Sequence, residues 1–413
     1  MSMPPAWIKE LGLFMTASAV VISNDAPAVV KAVARVSKVA LGNRIQICDG
    51  VDDHVQIQAA LDALPAAGGE VRLLEGTYNV QATINLDSNQ TLRGCGRNTI
   101  LTTTTADLIF LSAVGGAGTE KTGIVIADLQ IDGGAGSISD CGIYFEFVDY
   151  SFIQDVYSRR HASGTAAYGA GIYLWNSDFN TIIGNTCQAN GYYGIWIDTN
   201  STNNIVLGNI CQGNDIGICL TTASGNTVSA NTCQGNTTIG ICLETTSVNN
   251  TVSGNICQAN GTHGIALDGA CDNNTISGNT CQGNGNSGIS ITGSSDNTIS
   301  GNTCQGNDEH GIYISDVSIN NTIIGNTCTE NSQSANNTYD DIIVEVDSDY
   351  NNIQGNTCRA GGLANKPRYG INISNADCDG NLVTNNDLYN DGFGTGSFND
   401  AGTGTVTAAG NRT

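Results

Sequence analysis

From about residue 171 onward, short apolar segments alternate with Gly and Asn turns in a rhythm that returns roughly every two dozen residues. An Asn-x-Cys element places Cys187, Cys211, Cys233, Cys257, Cys281, Cys304, Cys328 and Cys358 at separations of 24, 22, 24, 24, 23, 24 and 30 residues. A ninth copy, TNNDLYN, carries Asp387 at the cysteine position in this alignment. Gly-Ile recurs in phase, at Gly171, Gly194, Gly217, Gly240, Gly264, Gly288, Gly311 and Gly370. So does Asn followed by Thr or Ile and an aliphatic residue, from Asn180 through Asn204, Asn226 and Asn250 to Asn321. Each period therefore holds three apolar segments of about three to five residues, too short for helices and alternating as strands do. Three strands per period, stacked at a fixed repeat, predict an all-β parallel β-helix of roughly ten to twelve coils.

Stacking decides what the cysteines do. Equivalent residues of successive coils superpose about 4.8 Å apart, so the eight cysteines form one inward column in which a thiol serves as a small apolar filler. Disulfides fit poorly, because in-register Cβ atoms point the same way and lie beyond the roughly 3.5–4.5 Å that a bridge needs. The total of 15 cysteines is also odd. The Asn columns are expected to stack at the turns, amides bonding along the axis and satisfying backbone groups.

The chain before the repeats reads differently. Residues 1–48 form an N-terminal segment, for attachment or as the start of a cap. Its stretch Leu11–Ile22 reads either as the apolar part of a leader or, preferred here, as a run into a first strand over Ala19–Ser23. Ala26–Lys38 has helical spacing, with Val29, Val33 and Val36 on one face. The segment DGVDDHVQIQAALDALPAAGGEVRLLEGTY, Asp49–Tyr78, predicts a capping helix over 52–64. Asp52 or Asp53 is its cap, and Ile57, Ala60, Leu61 and Leu64 form its buried face. The β-helix is assigned to 49–390 and a polar tail or cap to 391–413.

This segment, with TLRG at Thr91–Gly94 and LQIDG at Leu129–Gly133, resembles the pectate-lyase-like superfamily of right-handed parallel β-helices. That group includes tailspikes, polysaccharide hydrolases and lyases, and NosD-like repeat proteins. The resemblance implies a right-handed coil and, through the tailspikes, a homotrimer. It does not fix an activity, because this scaffold carries many.

Charge narrows the partners. The formal net charge is −23, with 15 Lys and Arg against 38 Asp and Glu, a balance that repels nucleic acid and anionic membranes. No apolar stretch is long enough to span a bilayer as a helix. Between Arg160 and Arg359 there is no Lys or Arg at all. This argues against β-elimination of polyuronates there, a reaction that needs cations around its enolate-like intermediate.

On the Gly-Ile strand the Ile points inward, so the next residue and the one two further on point outward. The first outward position reads Tyr144, Tyr173, Trp196, Cys219, Cys242, Ala266, Ser290, Tyr313, and the second includes Glu146, Trp175, Asp198, Glu244 and Asp268. Tyr144, Tyr173, Trp175 and Trp196 thus predict a solvent-facing aromatic platform for sugar rings, rimmed by Glu146, Asp198 and Tyr193. Arg159, in the single basic cluster Arg159-Arg160-His161, is the candidate cation beside it. The alternative is that these rings pack under a loop or against another subunit.

Catalytic candidates are Asp198, Glu244 and Asp268. Carboxylates one coil apart approach the separation of retaining glycosidases, and two coils apart that of inverting ones. The pairs His263-Gly264 and His310-Gly311 are read as ordinary turn residues before Gly-Ile. Cys219 and Cys242 with His263 fall short of the four ligands of a closed soft-metal site. No cofactor is expected, although Asp347, Asp349 or Asp340-Asp341 could offer oxygens to Ca2+. The reading that follows is an extracellular, cell-surface or virion-borne β-helix that binds a polysaccharide or cell-surface glycan. A glycoside hydrolase or polysaccharide lyase, and a purely structural spike or filament subunit, are the alternatives.

Overall fold

The computed structural model describes residues 19–41, 44–134, 140–162, 169–389, 392–407 and 410–413. Of the apolar run Leu11–Ile22, residues 11–18 lie outside them, and Ala19–Ile22 forms the expected strand. The chain divides into two compact units, Met1–Ile195 and Trp196–Thr413. In each, short parallel strands stack into three sheets, one strand per sheet per coil, as a right-handed parallel β-helix.

In the second unit the repeat is regular. Thr227–Ser229, Thr251–Ser253, Thr275–Ser277 and Thr298–Ser300 pair in register in one sheet. Thr232–Gln234, Ile256–Gln258, Thr280–Gln282 and Thr303–Gln305 pair in a second. The Gly-Ile strands Ile241–Glu244, Ile265–Asp268, Ile289–Thr292 and Ile312–Ser315 form the third. The cysteine-bearing set counts twelve strands among the described residues, within the number of coils expected.

The core is what stacking demands. Val228, Val252 and Ile276 from the first sheet, Cys233, Cys257 and Cys281 from the second, and Ile241, Leu243 and Ile265 from the third are wholly buried. Cys211, Cys233, Cys257, Cys281, Cys304, Cys328 and Cys358 are direct partners along the column, and all are free thiols. Hydrogen bonding to Cys304 and Cys358, with burial, raises the thiol of Cys328, and burial raises that of Cys358. The Asn columns bond as expected. Asn209 Nδ2 donates to Asn231 Oδ1 at 3.0 Å, and the same oxygen accepts the backbone N–H of Asn209 at 2.8 Å. Asn231 Nδ2 in turn reaches the carbonyl of Val206 at 2.9 Å, so one side chain satisfies donors and acceptors of two coils.

Close stacking also explains the glycine of Gly-Ile. A Cβ at Gly240 would lie 2.5 Å from the carbonyl oxygen of Gly264 and 2.9 Å from Asn260 Nδ2. Gly254 serves otherwise: it turns the chain at a φ of +63°, with open space around it.

Three sequence readings need correction. Asp387 pairs with Thr357, not with a cysteine; Leu388 takes the inward slot, fully buried, because an ionised carboxyl there would be stranded among apolar side chains. The first described helix spans Ala28–Leu41, and its buried residues are Val30 and Ala34, packed on Val20, Ile22, Ile45 and Leu74, while Val29 is exposed. The capping helix spans Asp53–Asp62, with Ile57, Ala60 and Leu61 buried and Leu64 half-buried. Asp52 makes no capping bond; Asp53 ties this helix down by accepting from Gly50 N and Asn79 N, each at 2.8 Å. The expected first strand is present, and a strand also forms in the polar C-terminal segment. Ala19–Ile22 pairs with the strand Gly69–Leu73, and Gly396–Asp400 with Tyr369–Ile373.

Candidate functional site

In the second unit the outer face of the Gly-Ile sheet carries two clefts, of about 460 and 440 Å3, with His263 in the wall of both. The first is lined by Glu309, His310, Tyr313, Tyr339, Glu345 and Arg368. Its far wall comes from a long period, the 30 residues from Cys328 to Cys358. The extra residues fold back onto the coil before: Ser332 N donates to Glu309 O at 2.7 Å and Ser334 N to Asp308 O at 3.0 Å. Ser332 Oγ then holds Tyr339 N at 3.1 Å, which presents the Tyr339 ring to the cleft.

Three rings meet there. His310 lies 5.5 Å from Tyr313, 23° from parallel, and 5.1 Å from Tyr339, edge-on at 89°. His310 Nδ1 lies 3.0 Å from the backbone N–H of Asp340, which donates to it, and 3.3 Å from the Asp340 carbonyl oxygen. Burial pushes the pKa of His310 down to about 4, so the neutral ring persists at physiological pH. Tyr313 Oη donates to Glu345 Oε1 at 2.8 Å, and burial next to that carboxylate lifts the phenol to about 12. Partial burial also raises the carboxyl of Glu309.

The cation in this cleft is already matched. Arg368 clamps the fully buried Asp340 with Nη2 at 2.6 Å and Nε at 3.1 Å. Asp340 also accepts from Tyr369 N at 3.0 Å and Asn372 Nδ2 at 2.9 Å. Asp340 is therefore saturated and Asp341 is buried beside it, so neither offers the open oxygens that Ca2+ would need. Asp349 accepts Asp379 N at 2.6 Å.

In the second cleft Glu244 and Asp268 are direct partners on neighbouring strands. Glu244 Oε1 accepts from Thr221 Oγ1 at 3.0 Å, and Thr221 Oγ1 accepts from Trp196 Nε1 at 3.0 Å. Asp268 is exposed, whereas Asp198 is nearly buried and caps Thr199 through its N–H at 2.7 Å and its hydroxyl at 2.9 Å. Asp198 is not among the residues lining the second cleft with Glu244 and Asp268.

The aromatic platform expected from the sequence takes a different form. Tyr144 and Tyr173 face outward yet are 9% and 6% exposed, because their rings shield each other at 5.1 Å and the Tyr144 hydroxyl is drawn onto Glu146 at 2.9 Å. Trp175 is half-buried beside Phe147, 6.4 Å away, and Tyr193 half-buried beside Tyr192 at 6.3 Å. Trp196, also half-buried, spends its N–H on Thr221. Arg159 is not a free cation. Arg159 and Arg160 both bind the buried Asp132, Arg159 through Nη2 at 2.7 Å and Arg160 through Nε at 2.8 Å. His161 is buried rather than in an exposed turn. An exposed ring pair of the first unit is Tyr150 and Phe179, stacked at 4.9 Å and 3°, equivalent turn residues of successive coils. His263 and His310 do occupy turns before Gly-Ile, as expected, but those turns are cleft walls.

Residues 154–345 match the family NosD, described as periplasmic copper-binding protein. No curated protein gives a significant match. Among solved structures, the Azotobacter vinelandii mannuronan C-5 epimerase AlgE4 A-module is similar at TM-score 0.65 and 21% identity, over 87% of this chain and 97% of that one. The Dettilon tailspike protein is similar at TM-score 0.61 and 16% identity, over 86% of this chain and 66% of that one. Tailspike protein 3 of bacteriophage CBA120 gives TM-score 0.61 at 14% identity, over 88% of this chain and 58% of that one. The chain thus has the right-handed parallel β-helix fold, and spans under two thirds of the tailspikes it matches.

Proposed function

We propose that this protein binds a glycan along the outer face of the Gly-Ile sheet, with the cleft at His310, Tyr313 and Tyr339 as its principal subsite. The observation that carries this reading is the clustering of three rings beside Glu309 and Glu345 in a cleft whose Arg368 is neutralised by Asp340. Flat apolar faces suit the C–H face of a pyranose, and carboxylates accept its hydroxyls. The charge balance favours a neutral polysaccharide over a polyuronate, since the cleft offers acid and no spare cation. The tailspike and epimerase resemblances support a setting where polysaccharides are met, outside the cell or in its envelope, and the tailspikes support a homotrimer.

A glycan array read with the full chain tests the proposal. Retention of a neutral glycan is expected, weakened at least tenfold by Tyr313→Ala with Tyr339→Ala, while Tyr150→Ala leaves it unchanged. Retention that survives the double substitution overturns the subsite. Release of reducing ends from the bound glycan would make the protein a hydrolase instead.

A further inference from the structure

We infer that Cys219, Cys242 and Glu244 form a binding site for a divalent cation of the zinc class on the floor of the second cleft. The two cysteines are direct partners on the strands Ile216–Thr221 and Ile241–Glu244, and both point away from the core. Glu244 closes the group: Oε1 lies 3.5 Å from Cys219 Sγ and Oε2 3.8 Å from Cys242 Sγ. One ligand atom from each of the three residues lies within 4.8 Å of the other two. A tetrahedral zinc ion with bonds of about 2.3 Å to sulfur and 2.0–2.2 Å to oxygen holds its ligand atoms roughly 3.5–3.8 Å apart. The two sulfur–oxygen distances fall in that range, and the two sulfurs lie within 4.8 Å of each other.

These cysteines differ from the inward column. The column thiols pack among Val and Ile from neighbouring strands, whereas these two lie against the Glu244 carboxylate; Cys242 and Glu244 line the cleft and Cys219 is buried behind them. Packing alone does not require sulfur here, since the next two coils carry Ala266 and Ser290 at the same position. Charge points the same way. Glu244 sits in a stretch without Lys or Arg from His161 to Cys358, so the repeats themselves supply no cation for it. His263, the third ligand suggested by the sequence, lines the cleft but is not one of the three grouped residues.

Two thiolates with one carboxylate suit a borderline-soft divalent ion better than Ca2+ or Mg2+. Binding releases the two thiol protons to solvent, leaves the site with one net negative charge, and keeps a fourth position facing the cleft for water or a ligand hydroxyl.

The test uses the full chain, reduced and stripped with a chelator, titrated with Co2+ in the absence of any glycan. A thiolate-to-cobalt charge-transfer band saturating at one equivalent, with two protons released and reversal by Zn2+, is expected. Cys219→Ser with Cys242→Ser abolishes the band, while Cys281→Ala in the inward column keeps it. Glu244→Gln weakens binding by roughly ten- to a hundredfold. The absence of a band in the folded wild type overturns the site, as does a band unchanged in the double serine variant. If that variant does not fold, unchanged affinity in Glu244→Gln overturns it. Failure of glycan binding leaves this outcome untouched.

Discussion

Asn331 donates its side-chain amide to the buried carboxyl of Asp341 at 2.7 Å. It ends on an acid a ladder whose preceding rungs, Asn236, Asn260, Asn284 and Asn307, bond amide to amide. Burial raises the Asp341 carboxyl well above the usual range, and its Oδ2 has no hydrogen-bond partner. Such an acid is retained neutral in the fold.

The consequence is a stability that falls as pH rises. The unfolded chain loses the Asp341 proton near pH 3.8, the native chain only at higher pH, so the native state binds more protons above that point. Asp341→Asn extends the amide ladder by one rung and removes the penalty. It should stabilise the protein at pH 7 by about 1–3 kcal/mol. Denaturant melts at pH 4 and pH 7 check this: the gain must grow with pH, and a loss at pH 7 refutes the reading.

His310 and His161 act in the opposite sense. Burial lowers their pKa values to about 4 and about 3, so each is neutral in the fold while the unfolded chain takes up a proton near 6.5. Their contribution is complete above pH 6.5 and is lost as pH falls through those folded values. Thermal melts from pH 7 to pH 4 should show a decline, and His310→Gln should flatten it. Because His310 belongs to the first cleft, glycan retention should also drop as pH approaches 4.

The two glycine roles separate experimentally. Gly240→Ala drives a methyl group into the Gly264 carbonyl and should cost about 1–3 kcal/mol, the range for overpacking a tight site. Gly254→Ala meets open space and suffers only the cost of its left-handed φ, about 1 kcal/mol. Equal losses in urea denaturation would show that stacking is looser than the ladder implies.

Thiol accessibility reports the coil directly. Of the 15 free cysteines, Cys95 alone is not buried. A thiol reagent should label about one site in the native protein and all of them in denaturant. Rapid native labelling of Cys257 or Cys281 would contradict the inward column.

How far the sequence could be read depended on whether a residue's neighbours were set by the repeat. Tyr339 shows the limit. It lies in the extension that lengthens one period to 30 residues; the spacing revealed the insertion, but not that Ser332 and Ser334 would fold it onto Glu309 and Asp308. Arg368 likewise looks free in the sequence, and only folding brings Asp340 against it across 28 residues. Tyr144 and Tyr173 are 9% and 6% exposed, because a strand's alternation says which way a ring points and not what covers it.

By itself, the sequence determined the coil: a fixed period forces equivalent residues into contact, so Cys233 must meet Cys257 and Asn231 must meet Asn255. The tertiary structure alone decided the clefts and the ion pairs, and it turned the Glu244 carboxylate onto Cys219 and Cys242, two cysteines that the repeat had already made partners. A period fixes which backbone positions meet, whereas the reach of a long side chain and the course of an irregular turn are settled only by the folded backbone.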